Sequence, residues 1–418
     1  MTFWTPTPWF SCRLTPPPPK RPTNNRHLLR LMIFSSDDLA FLTSPTGAAL
    51  LERLAGEDLA ESHTLGLLTA LRKGYSAGAA RAALEMARLR RDAVDKFGDD
   101  ARRMFFTRQA LEQASDPLAR FYRASRVAAC SLVDAGCGIG ADALAFAAAG
   151  LSVYGIDIDP VRVAMARHNA AALGLEARFE TADVRFGLPD AEAVFFDPAR
   201  RDEQGRRIYH VEHYQPPLST LRGWRQRLII AKLSPGLNLA QVAGYGGAVE
   251  FISVNGDLKE AVLWLGTGQT GTRATLLAND EVYHWQQRGN VEVALCPPRA
   301  WLVEPDPALI RAGLVQDAAA FFGGALLDPT IAYFTTETCP DSPWVRAWKI
   351  QDWMPFNLKK LRAYLHARQI GRVTVKKRGS TVTPEDLISK LKLKGAECCT
   401  LVLTRRQGQP VMLVCDDC

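Results

Sequence analysis

The chain has 418 residues, 47% of them hydrophobic and 23% charged, with a formal net charge of +7. That length exceeds one ordinary core and implies two or three globular domains, and no apolar run reaches the roughly 18–20 residues of a membrane helix. The mild positive charge is compatible with a polyanionic partner and does not require one.

Along the chain, residues 1–31 carry Trp4, Trp9, the run Pro16–Pro19 and several arginines without helical or strand periodicity. They read as a disordered or spurious N-terminal extension, since Met32 opens a better-patterned segment. Residues 32–129 read as a helical domain. Leu50, Leu51, Leu54 and Ala55 recur at helical spacing, as do Ala79, Ala83, Ala87 and Leu89. The stretch Arg90–Arg126 interleaves basic residues with Phe105, Phe106, Phe121 and Tyr122. It fits either solvated amphipathic helices or a lid beside a site.

From Ser131 short apolar strands alternate with helices, which argues for a parallel sheet covered on both faces. Strands are expected at Ser131–Asp134, Ser152–Asp157, Ala177–Glu180, Ala193–Asp197, Leu228–Leu233, Glu250–Val254 and Ala261–Leu265. The fold class is therefore α/β, a seven-stranded Rossmann-like domain over 130–269. Residues 270–345 read as a connecting α/β subdomain, with strands at Ala274–Leu277 and Val291–Ala294 and a helix over Pro307–Phe322. The tail 346–418 reads as a small α/β module: a helix over Asn357–Arg368, then a strand–helix–strand–strand run from Arg372.

The nine cysteines follow no framework spacing and are expected as reduced thiols of a cytoplasmic protein. Cys415 and Cys418 form a lone C-x-x-C. A tetrahedral zinc site needs a second pair or histidines, so no metal is expected.

The densest chemistry lies at Val133-Asp134-Ala135-Gly136-Cys137-Gly138-Ile139-Gly140, directly after an apolar strand and before an Ala-rich helix. Glycines there allow a tight turn and a close approach of ligand to backbone. An acid closing the strand repels phosphate and suits a ligand with an amino or sulfonium cation, which favours S-adenosylmethionine (SAM) over a dinucleotide. Asp157 ends the second strand, where a carboxylate can accept ribose hydroxyls. Asp183, in Thr181-Ala182-Asp183-Val184, follows the third strand, where it can accept from an adenine amino group. Asp197-Pro198 ends the fourth. Each acid alone could serve as a helix cap, as Asp157 and Asp159 would; the ordered set carries the reading.

These residues resemble the class I SAM-dependent methyltransferases. Asp134, Gly136, Gly138 and Gly140 match that family's glycine motif, Asp157 its ribose acid and Asp183 its adenine-side acid. The resemblance implies bound SAM, released as S-adenosylhomocysteine, with Cys137, Ile158 and Val184 lining the cofactor site beside those residues. Lys96-Phe97-Gly98, Phe105-Phe106-Thr107, Asp257-Leu258-Lys259-Glu260 and Lys376-Lys377-Arg378-Gly379 further resemble a bacterial group whose members end in a THUMP-like domain. Since THUMP domains belong to RNA-modifying enzymes, the resemblance points to RNA.

Asp197-Pro198-Ala199-Arg200 stands where amino-methylating nucleic-acid enzymes carry (Asp/Asn)-Pro-Pro-aromatic, in which the acid accepts from the target amine and the ring stacks on a flipped base. Asp197 and Pro198 match; Ala199 and Arg200 do not. Tyr209, His210, His213 or Tyr214 could supply the ring. The expected catalytic residues are Asp197, Pro198 and Arg200, with Arg201, Tyr209, Tyr214, Lys376, Lys377 and Arg378 holding substrate. From Arg346 onward fifteen Lys and Arg face six Asp and Glu, which suits a phosphate backbone or a lysine-protected sheet edge. The sequence thus reads as a methyltransferase acting on a nucleophilic N or O of rRNA or tRNA. The alternatives are a small-molecule methyltransferase with a structural tail and a non-catalytic RNA-binding protein retaining the fold.

Overall fold

The computed structural model describes residues 34–416 apart from 202, 203 and 290; the extension expected over 1–31 lies outside the described residues. The described chain opens with α1 (Ser36–Thr43), α2 (Pro45–Ala55), α3 (Thr64–Leu71), α4 (Ala77–Asp92), α5 (Val94–Phe97), α6 (Arg108–Gln113) and α7 (Pro117–Ser125). Their starts follow from local chemistry. Ser35, Ser44, Ser76, Thr107 and Asp116 each accept a backbone N–H of the first turn, which satisfies donors the helix itself cannot. Pro45 and Pro117 occupy first-turn positions where a missing N–H costs nothing.

The first sheet contains β1 (Ser131–Ala135), β2 (Ser152–Asp157), β3 (Ala177–Thr181), β4 (Ala193–Phe196), β5 (Leu228–Leu233), β6 (Ala248–Val254), β7 (Asp257–Leu265), β8 (Gly271–Ala278) and β9 (Glu281–Gln286). Their spatial order is β3-β2-β1-β4-β5-β7-β6-β8-β9. The seven expected strands form one contiguous block, and β8 and β9 extend it. Strands β1 to β5 are mutually parallel. β7 runs against both β5 and β6, and β8 runs with β6, so β1–β6 and β8 all end on one edge. Order reverses between β1 and β4, the switch point where open parallel sheets bind ligands.

The opening helices have no core of their own. Leu42, Leu54, Met86 and Phe106 share one apolar cluster with Ala143, Val163, Phe195 and Trp264 of the sheet layer. The segment expected as a separate helical domain is a layer on one sheet face, together with α8 (Ala141–Ala148) and α9 (Pro160–Leu173). Between β4 and β6 the described residues form no crossover helix, and short 3-10 turns such as Leu218–Gly223 and Leu239–Gln241 stand in those places. The second face is completed by α10 (Pro307–Arg311) and α11 (Val315–Phe321), whose Leu309 and Ala318 pack in one cluster with Phe251, Ala274 and Leu237.

This corrects the reading of 270–345 as one connecting subdomain. β8 and β9 belong to the first sheet, and α10 and α11 cover it. Gly313, at φ +75, divides the single helix expected over Pro307–Phe322. Val291–Ala294 is no strand; its neighbour Leu295 makes only an isolated bridge with Leu326. The remainder, β10 (Trp301–Pro305), β11 (Ala325–Leu326) and β12 (Phe334–Thr336), enters a second sheet. There they join β13 (Val345–Pro355), β14 (Ile370–Lys377), β15 (Glu397–Arg406) and β16 (Gln409–Cys415) in the order β11-β12-β10-β13-β16-β15-β14. Helices α12 (Leu358–Ala367) and α13 (Pro384–Leu391) pack through Leu361, Leu365, Leu387 and Leu391 against one face of that sheet. The tail begins with β13 rather than with its helix. This strand is only partly buried along its length, so it shows no clean apolar stripe.

Candidate functional site

The ends of β1, β2, β4 and β5 open into a cleft of about 2220 Å³. Its floor is the turn after β1. The backbone takes φ of +94 at Gly136, +55 at Gly138 and +86 at Gly140, a region side chains disfavour. Gly136, Cys137 and Gly138 line the cleft, whereas Gly140 does not. A Cβ at Gly140 would lie 3.2 Å from Ala166 Cβ, so this glycine serves the packing of α8 on α9 rather than ligand contact.

The turn is tied to β2. Gly138 donates its backbone N–H to Asp157 Oδ2 at 2.8 Å, and Asp159 donates to Oδ1 at 2.9 Å. Asp183 accepts from the backbone N–H of Arg185 at 2.9 Å and from its guanidinium. These side-chain and backbone hydrogen bonds hold its carboxyl below the usual carboxylate range. Ile158 and Val184 line the same end of the cleft, Ile158 with most of its side chain exposed.

Asp134 is 1% exposed and neither carboxylate oxygen has a hydrogen-bond partner. Burial, reinforced by the carboxylates of Asp142, Asp197 and Asp157, pushes its pKa well above the ordinary 3.8. A buried, unpartnered acid amid other acids is costly, and a cationic group beside it relieves that cost. The amino and sulfonium cations of SAM have the required charge, so the donor set and the glycine turn fit that cofactor.

Asp197 follows β4, and its Oδ2 accepts from Lys232 Nζ at 2.7 Å. Arg200 Nη2 stands 3.8 Å from Oδ1. Lys232 was not among the residues singled out from sequence. It sits in β5, Leu228–Leu233, and is 3% exposed; a lone cation in an otherwise apolar strand was the available sign. After Asp197 the chain folds back on itself. Ala199 and Gln215 exchange two backbone hydrogen bonds, which places Arg200, Arg201, Arg207 and His213 on the cleft.

The expected catalytic Arg200 and the expected substrate residues divide accordingly. Arg200 and Arg201 face the cleft. Tyr214 lies at its border, but only 1% of it is exposed, within the core beside Leu218 and Phe196, so its ring is not presented for stacking. Tyr209 is 68% exposed yet does not line the cleft. Lys376 and Arg378 are turned onto Glu304, at 3.4 and 3.0 Å, and over the rings of Trp348 and Tyr333. With Lys377 they lie away from the cleft lining. The strand-end basic run is largely a clasp within the second sheet.

The helical layer supplies a wall that spacing alone did not reveal. Lys96, Gln113, Ser115 and Asp116 line the cleft. Lys96 Nζ donates to the carbonyls of Leu111 and Ala114, both at 2.8 Å, fixing the end of α6. Arg123, fully buried, pairs with Asp142 of α8 and Glu260 of β7 and lies over the Phe195 ring. Burial works against the ionised form of Asp142, but Arg123, Lys232 and Arg120 outweigh it and leave its pKa lowered.

Fold and site together define a class I SAM-dependent methyltransferase. Residues 132–197 match a methyltransferase-domain family, 345–417 a THUMP domain-like family and 35–93 a domain of unknown function. An uncharacterized S-adenosylmethionine-dependent methyltransferase of Mycobacterium tuberculosis is 38% identical over 338 residues, covering 77% of this chain and 92% of the relative. The chain belongs to the family of that methyltransferase. A shorter stretch of 76 residues is 43% identical to an uncharacterized RNA methyltransferase of Parasynechococcus marenigrum, covering 17% of this chain and 16% of the relative. A crystal structure from Porphyromonas gingivalis, described as a candidate methyltransferase, superposes with TM-score 0.72 at 20% identity. It covers 92% of this chain and all of that one, and shares the fold. Among the described residues no helix is long and apolar enough to cross a membrane, and no cluster of His, Cys, Asp and Glu could hold a metal ion.

Proposed function

We propose that this SAM-dependent methyltransferase modifies RNA, an rRNA or tRNA, in the cytoplasm, at a nucleophilic nitrogen or oxygen held by Asp197. The carrying observation is the Asp197-Pro198 corner beside the cofactor turn, continuous with Arg200, Arg201 and Arg207 on one cleft. The cleft, about 2220 Å³, is open and has room for an acceptor beside the cofactor. The name of the cyanobacterial relative and the THUMP domain-like match support the same reading.

Bound SAM supplies a methyl carbon made electrophilic by its sulfonium. The chain's part is orientation. Asp134 would hold the cationic end of the cofactor, Asp157 the ribose and Asp183 the adenine edge. Asp197 accepts from the acceptor group and aims its lone pair, so the rate gain comes from alignment rather than from strong acid–base chemistry. The arginines of the 200–207 loop contact phosphates and set register.

The test incubates purified protein and labelled SAM with extract of cells lacking its gene. Label in RNA, lost with Asp197→Ala while SAM binding persists, is the expected result. Label only in protein or small metabolites would overturn the RNA reading.

A further inference from the structure

Lys232 is a charge in an otherwise apolar strand. It lies on β5 between Ala231 and Leu233, both fully buried. Its ammonium lines the cleft and touches Asp197 Oδ2 at 2.7 Å. The carboxylates of Asp134 and Asp142 lie within electrostatic reach of the same centre. A lysine held in a buried strand loses side-chain freedom and hydration. Packing alone would favour leucine or methionine here, so the ammonium has a task at Asp197.

The geometry gives that task. Asp197 has two oxygens with different surroundings. Oδ2 is occupied by a charge-assisted hydrogen bond from a rigid strand. Oδ1, among the described residues, has the Arg200 guanidinium at 3.8 Å, beyond hydrogen-bond range. A carboxylate on a free rotor would present either oxygen in several orientations. One clamped from β5 presents one oxygen in one direction.

We propose that Lys232 is a positioning residue for methyl transfer: by clamping Oδ2 of Asp197 it turns Oδ1 toward the N–H or O–H of the acceptor group. This rests on the reading of Asp197 as the orienting group. In the transfer the bond from the acceptor atom to the methyl carbon would form as the C–S bond breaks, its electron pair would stay on sulfur, and the proton of the acceptor would leave along its hydrogen bond to Oδ1 and pass to water.

The test compares wild type with Lys232→Met, Lys232→Arg, Asp197→Asn and the Lys232→Met/Asp197→Asn double variant. Transfer of labelled methyl is measured into the extract of cells lacking the gene, in whichever fraction takes label, with SAM affinity measured separately by calorimetry. Lys232→Met is expected to lower kcat about 10–100-fold with KM and SAM affinity within about twofold of wild type. Lys232→Arg should recover part of the loss, and the double variant should be no slower than Asp197→Asn alone, since two groups acting as one unit are non-additive. A crystal structure of Lys232→Met should show the Asp197 carboxylate rotated from its present position. The proposal is overturned by additive losses, by a lesion confined to SAM affinity, or by an unmoved carboxylate. Which fraction is labelled decides the RNA reading independently, because the ratios among variants do not depend on it.

Discussion

Gly138 and Asp157 are joined by a 2.8 Å hydrogen bond from the glycine's backbone N–H to the carboxylate. The turn after β1 is thereby held by the acid that ends β2, so the glycine turn and Asp157, the acid proposed for the ribose, are one unit. Asp157 also lines the cleft. Asp157→Ala is expected to weaken SAM binding about 10–100-fold, the loss of hydrogen bonds to a charged group at roughly 1.5–3 kcal/mol. Calorimetry measures this directly, and unchanged affinity would remove Asp157 from the site.

Asp134 predicts a pH dependence with a definite sign. Its pKa in the folded protein, raised by burial and by Asp142, Asp197 and Asp157, lies above the ordinary 3.8. The stabilising contribution of the protonated form is complete below 3.8 and is lost as pH rises toward the raised value. The loss proceeds at up to about 1.4 kcal/mol per pH unit. A cationic ligand favours the ionised form, so SAM affinity rises with pH over that window and binding releases a proton. Calorimetry in buffers of different ionisation enthalpy reads the release. Asp134→Asn should abolish it, weaken SAM binding and flatten the acid-to-neutral stability profile.

Arg123 holds the helical layer to the sheet through Asp142 and Glu260. Arg123→Met strands two buried carboxylates, and the expected loss is about 3–5 kcal/mol. Urea unfolding measures it; a loss below about 1 kcal/mol would show that water reaches the pair.

Arg201 and Arg207 line the cleft, whereas Lys376 and Arg378 are held on Glu304. On the RNA reading, Arg201→Ala and Arg207→Ala each reduce the slope of log affinity against log salt by about 0.7, the value per phosphate contact for single strands. Lys376→Ala and Arg378→Ala should leave that slope near wild type. They should cost stability of no more than about 1 kcal/mol each, because these pairs are partly exposed. Filter binding across a salt series separates the two sets.

The cofactor side of the site was legible in sequence because its parts are local. A glycine turn directly follows its strand, and each acid directly follows another. Asp183 stands two residues before Arg185, which holds it. Fully buried strands such as Leu228–Leu233 show as apolar runs. The acceptor side was less legible. Tyr209 and Tyr214 sit five residues apart in one loop, and neither is presented as a stacking ring in the cleft: the first points to solvent and the second into the core. Nothing in their spacing decides between those outcomes, since the loop has no period of its own.

Local order along the chain determined the fold class, the cofactor turn and the row of strand-end acids, because side-chain alternation and turn geometry act between near neighbours. Tertiary structure decided what those parts meet. Lys232 reaches Asp197, Arg123 reaches Glu260, and Glu304 captures Lys376 and Arg378. The split of 270–345 between two sheets is of the same kind. Each is a pairing between distant segments, set by which faces bury together and which charges burial forces to find partners, and no local pattern encodes that choice.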